Sequence, residues 1–212
     1  MSFNAIESFS AIEVPDIGFE DAQFRALIAG ASALLMNNPA GMQVVSDETK
    51  RTTERKIPLP ADEAEAKAYR LATGELYVRP EAIRRAMVLG AKEFADPRNK
   101  RATLTKPVAA AIGAPASDAF VLANADGEVL TDYEVSTMRA VVQRQGVMRS
   151  RAKINLPWFC RIQFTFDASL VSGEQLALVL AMAGSKVGIL DFRPEKGGPY
   201  GRFRIDQFEV SE

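Results

Sequence analysis

The chain has 212 residues with 26 Lys and Arg against 27 Asp and Glu, a formal net charge of −1, and 47% apolar residues. That is ordinary globular composition in one domain-sized length, and no run of eighteen apolar residues exists to cross a membrane as a helix. Histidine is absent, which excludes Ser-His-Asp and Cys-His catalysis and histidine zinc sites, and shifts expectation from enzyme to binding protein.

In chain order, residues 1–21 carry Glu7, Glu13, Asp16, Glu20 and Asp21 and no cation. They read as an acidic arm suited to docking on a neighbour. No basic stretch followed by an apolar core opens the chain, so no secretory signal is expected. Residues 24–36 read as one strand, buried in its second half, closed by the turn cluster Asn37-Asn38-Pro39-Ala40-Gly41. Residues 43–60 are polar and basic and read as a loop or extended hairpin. An Ala- and Glu-rich helix over 61–72 and a short strand over Glu75–Val78 follow. Pro80 opens a helix whose face is Ile83, Ala86, Met87, Gly90, Ala91 and Phe94. Residues 98–118 are basic and give no clear element.

Asn124-Ala125-Asp126-Gly127 signals a hairpin between short apolar runs. Tyr133–Val142 reads as a strand and 143–153 as a basic connector centred on Gly146. Trp158–Asp167 alternates, with Ile162, Phe164 and Phe166 inward. Cys160 lies in that apolar run as a reduced core thiol. Ser172-Gly173-Glu174-Gln175 is a capping box opening an apolar helix that ends near Gly184. The last strand spans Tyr200–Val210. Strand–helix–strand in each half predicts an α+β, ferredoxin-like or RRM-like antiparallel sheet with helices on one face, plus inserted loops or a hairpin and the N-terminal arm. One domain over 22–212 would carry basic insertions at 43–60, 97–117 and 143–153.

Two segments carry cations without acids: 97–117 (Arg98, Lys100, Arg101, Lys106) and 139–161 (Arg139, Arg144, Arg149, Arg151, Lys153, Arg161). Between the last helix and strand lies Gly188-Ile189-Leu190-Asp191-Phe192-Arg193-Pro194-Glu195-Lys196-Gly197-Gly198-Pro199-Tyr200-Gly201-Arg202. Such a loop is either a plain surface turn or an amide nest for phosphate flanked by cations.

The opening Gly30-Ala31-Ser32-Ala33-Leu34-Leu35 and the closing Gly197-Gly198-Pro199-Tyr200-Gly201-Arg202-Phe203 resemble the first-strand and glycine-loop motifs of the RAMP superfamily, with Ala33 where proline is usual. The chain is also similar to stand-alone phage and prophage proteins of that type. The resemblance implies an RRM-like fold related to the backbone subunits of CRISPR effector complexes, which coat guide RNA. It carries over no cleaving aspartate and no processing histidine.

The expectation is a cytoplasmic, non-catalytic, single-stranded nucleic-acid-binding subunit without cofactor or metal. It would grip RNA or DNA by the backbone with little sequence preference and self-associate into a filament or multi-subunit complex. The contact residues would be Lys50, Arg51, Arg55, Lys56, Arg98, Lys100, Arg101, Arg144, Arg149, Arg151, Lys153, Arg193, Lys196, Gly197, Gly198, Gly201 and Arg202, converging on one surface. Trp158 reads as core, with base stacking as the alternative. Two other functions stay open: a phage assembly or counter-defence protein acting through protein contacts alone, and a Mg²⁺-dependent nuclease built on Asp191, Glu195, Asp206 and Glu209.

Overall fold

Alternation in β1 (Asp21–Gly30) sends Ala22, Phe24, Ala26 and Ile28 to one side, all buried. β10 (Phe159–Asp167) does the same with Cys160, Ile162, Phe164 and Phe166. The two strands pair antiparallel from Asp21↔Asp167 to Ala29↔Phe159 and form the centre of the main sheet. In this computed structural model, which describes residues 20–40, 58–142 and 145–211, the chain is α+β. It combines antiparallel sheets with four α-helices among the described residues.

The other elements, in chain order, are β2 (Leu34–Leu35), α1 (Pro60–Lys67), β3 (Tyr77–Val78), α2 (Pro80–Gly90), β4 (Ala95–Asp96), β5 (Asn99–Thr103), α3 (Thr105–Ala111), β6 (Ile112–Pro115), β7 (Phe120–Ala123), β8 (Glu134–Val142), β9 (Gln145–Ile154), α4 (Gly173–Met182) and β11 (Phe203–Ser211). The main sheet runs β11-β1-β10-β7-β3. β10 shares its second edge: β7 pairs Phe159 and Cys160, and β6 reaches Phe164 and Phe166. β10 and β11 both lie antiparallel to β1, so the two strands joined by α4 are parallel to each other with β1 between them.

The core lies between this sheet and helices α2 and α4. Phe24 stacks on Phe164 and on Phe208, each at 5.6 Å. α2 contributes Ile83, Ala86 and Met87, and α4 contributes Leu176, Val179 and Leu180. Pro80 fills the first turn of α2, where a missing N–H costs nothing. The capping box of α4 is formed, with Ser172 and Gln175 each accepting from the other's backbone amide. The opposite sheet face, with Arg25, Leu27, Phe159 and Arg161, floors a broad groove of about 1040 Å³.

Several expectations need correction. The predicted strand over 24–36 breaks after Gly30, because the chain bends around a tryptophan. A Cβ on Gly30 would lie 2.4 Å from the Trp158 indole nitrogen, and that N–H donates to the Ser32 carbonyl at 2.8 Å. The basic connector at 143–153 is mostly β9, paired with β8 from Glu134↔Lys153 to Val142↔Gln145. Its buried side carries Ser150 and Ala152, too small and polar to register as strand alternation. The unassigned 98–118 contains β5, α3 and β6, and β6 belongs to the main sheet rather than to an insertion. The last helix does not stop at Gly184 but continues as a π-turn to Val187.

Candidate nucleic-acid interface

β8 and β9 form a ribbon that meets the main body through β2 and α1. Because side chains alternate, Ser150, Ala152 and Ile154 turn to the body and Arg149, Arg151 and Lys153 share the other face. Each of these cations meets an acid from a different element. Arg149 reaches Glu63 of α1 at 3.2 Å, and Lys153 reaches Glu134 of β8 at 3.2 Å. Arg151 Nε lies 2.7 Å from an Asp191 carboxylate oxygen in the glycine loop, although the N–H is not aligned on it.

Glu63 is the anchor of this corner. Its carboxylate accepts from Lys67, from the Ser150 amide at 2.9 Å and from Arg149. Burial pushes its pKa up, but those hydrogen bonds outweigh burial and hold it below the usual carboxylate value. The Ala- and Glu-rich helix α1 is therefore partly internal, with Glu63 and Lys67 both buried.

The glycine loop folds on itself. Gly198 is buried, and a Cβ there would fall 1.8 Å from the Phe192 carbonyl oxygen. Gly201 has φ 76° and would place a Cβ 2.0 Å from the Ile189 carbonyl oxygen. Those close approaches demand glycine. The loop's amides are used internally: Lys196 and Gly198 donate to Arg193, Gly197 to Pro194, Tyr200 to Phe192 and Gly201 to Ala33. The Arg202 amide donates to the Ser32 hydroxyl at 2.9 Å. The expected open amide nest for phosphate is thus not formed; the glycines serve the loop's own packing. Only Gly197 of the three named glycines is exposed. Arg193 and Lys196 share Glu195 at 2.7 and 3.0 Å, and the Arg202 guanidinium donates to the Ser185 carbonyl at 2.8 Å.

The expected single cationic surface is also not formed. Arg98 donates to the carbonyls of Ser169 and Leu170, just beyond Asp167, which places the β4–β5 hairpin with Lys100 and Arg101 at the Asp21 end of β1. The glycine loop sits at the Gly30 end, where the Ala31 amide donates to Arg202 and the Gly201 amide to Ala33. Ten residues of β1 separate them, roughly 30 Å at the rise of a strand. Lys50, Arg51, Arg55, Lys56 and Arg144, and the arm up to Phe19, lie outside the described residues.

Trp158 is fully buried and is no stacking surface. Cys160 is buried, and burial pushes its pKa up to about 12, so it stays a thiol. Among the described residues no three His, Cys, Asp or Glu side chains cluster to hold a metal. Of the nuclease candidates, Asp191, Glu195 and Glu209 are each engaged by a cation.

Sequence reasoning missed one feature here. Phe192 and Tyr200, within the glycine loop, pair at 6.2 Å with Phe192 exposed. Aromatic residues inside a glycine-rich stretch were the available signal. No protein-family model matches the chain, and no curated protein is significantly similar to it.

Proposed function

We propose that the protein is a non-catalytic single-stranded nucleic-acid-binding subunit on a ferredoxin-like core. The fold reading is supported by the chain order β1–α2–β6/β7 and β10–α4–β11, with β1 and β10 central, β11 outside β1 and β6/β7 outside β10. The resemblance of the Gly197–Phe203 loop to RAMP glycine loops points the same way.

The observation that carries the function is the corner where ribbon and glycine loop meet. Six cations with exposed or half-buried side chains (Arg149, Arg151, Lys153, Arg193, Lys196 and Arg202) stand there against four carboxylates (Glu63, Glu134, Asp191 and Glu195), and Glu63 is also met by the buried Lys67. Cations already held in place by acids can turn to a phosphate without first losing side-chain freedom. Contacts of this kind read the backbone and not the bases, so sequence preference is low. The ribbon corner is the primary surface, and Arg98, Lys100 and Arg101 form a separate one. Self-association into a filament or multi-subunit complex, with the acidic arm of one copy on a basic face of the next, belongs to this reading.

A protein-only role as a phage assembly or counter-defence component is the second reading. It is favoured by the same ion pairs, which consume much of the charge internally. Fluorescence anisotropy with short labelled RNA and single-stranded DNA separates the two. The expected result is binding that weakens steeply with salt, by about 0.7 in log K per unit of log salt for each neutralised phosphate. Absence of salt-dependent binding to either ligand would overturn the nucleic-acid reading and leave the protein-only one.

A further inference from the structure

The glycine loop contains two non-glycine residues in the left-handed backbone region: Leu190 at φ 63° and Phe192 at φ 46°. An L-residue is strained in that conformation by its Cβ. Leu190 offsets it by packing its side chain against the core. Phe192 does not: the residue remains 42% exposed. Glycine or asparagine would hold the same backbone with less strain and no exposed apolar ring. Neither of the usual stabilising terms, backbone preference or burial, therefore accounts for phenylalanine here.

The surroundings do account for it. The Phe192 ring lies 6.2 Å from Tyr200 at an interplanar angle of 40°. The Tyr200 amide donates to the Phe192 carbonyl, and its hydroxyl points at the Met138 sulfur on β8, 3.8 Å away. The aromatic pair is thus held between the loop and the ribbon. Asp191, the residue before Phe192, is the one that meets Arg151 of β9, and Arg193 follows directly. An exposed, rigidly presented aromatic face among cations is the arrangement that single-strand binders use to stack bases.

We propose that Phe192 and Tyr200 form a stacking platform for one unpaired base of a single-stranded nucleic acid whose phosphates the neighbouring cations hold. This rests on the nucleic-acid reading above and adds to it a base contact independent of charge. Stacking of this kind tolerates any base, in keeping with low sequence preference.

The test is Phe192→Gly, which deletes the ring and relieves the backbone strain together. The probes are a labelled single-stranded DNA oligonucleotide and one of the same length made wholly of abasic sites. The variant should keep or raise the melting temperature and bind the DNA about 5- to 150-fold more weakly. Phe192→Trp should bind like the wild type. On the abasic strand, wild type and Phe192→Gly should bind alike, because no base remains to stack. The platform is overturned if Phe192→Gly binds DNA as tightly as the wild type, if its loss persists on the abasic strand, or if it melts markedly lower, which would make the ring structural. A wild type that binds neither strand, nor a labelled RNA of the same length, overturns the nucleic-acid reading itself. Wild-type binding with no effect of Phe192→Gly overturns the platform alone.

Discussion

Strand β5 of the β4–β5 hairpin and strand β9 of the β8–β9 ribbon both come from acid-free, cation-rich sequence, and the two antiparallel pairs use their cations differently. On the hairpin, Arg98 donates to two backbone carbonyls, while Lys100 and Arg101 are exposed and make no ion pair among the described residues. On the ribbon, Arg149 and Arg151 meet carboxylates of α1 and of the glycine loop and fasten the ribbon to both, while Lys153 meets Glu134 of the partner strand β8. A run of cations in sequence therefore says little about free charge. The counter-charges arrive from segments tens of residues away.

The sharpest way to break the comparison is Glu63→Ala. It leaves Lys67 buried without its partner and frees the Ser150 amide and Arg149, a loss of about 3 kcal/mol or more. Calorimetry should show the melting temperature lower by about 6–12 °C. No single hairpin change should approach that, and a shift no larger than that of Arg98→Ala would mean the ribbon is not anchored through Glu63.

Acid should act on the same carboxylate. Its folded-state pKa lies below the ordinary value of 4.5, so its contribution is present above that value and is lost as pH falls through the folded-state pKa. Urea midpoints measured from neutral pH down to about pH 3 should fall less steeply in Glu63→Gln than in the wild type. Parallel curves would remove Glu63 as the source of the acid sensitivity.

Arg151→Ala should cost less, about 1 kcal/mol, because the Asp191 pair is partly exposed and imperfectly aligned. Hydrogen exchange should then quicken in β9 and in the glycine loop together, and exchange that rises in only one of them would show that the pair does not couple them. The smallest effect belongs to the hairpin. Lys100→Gln with Arg101→Gln should leave stability within about 0.5 kcal/mol of the wild type. In anisotropy, that double change should also weaken single-strand binding less than Lys153→Gln on the ribbon. The reverse ranking would move the primary surface to the hairpin.

Much of the fold was legible in the chain. Strong local patterns survived folding: the alternation of β1 and β10, the α2 face from Ile83 to Gly90, the α4 capping box and the Asn124–Gly127 turn. The ribbon strand β9 was illegible because Ser150 and Ala152 replace the apolar residues that mark a strand's inner face. The bend after Gly30 was illegible because its cause, Trp158, lies far along the chain. For the candidate site, the loop was found but its glycines were misjudged. Gly198 and Gly201 look like openings to a ligand and are filled by the loop's own carbonyls, while Gly197 stays open.

By itself the sequence determined the α+β class, the buried thiol, the exclusion of histidine chemistry and the starts of α1, α2 and α4. All of these follow from composition or from interactions within a few residues. Tertiary structure decided which cations keep free charge, where the two basic groups lie and that Phe192 stands exposed in a left-handed backbone. Those depend on carbonyls and carboxylates delivered by distant segments, and only the folded chain brings them within a few ångströms.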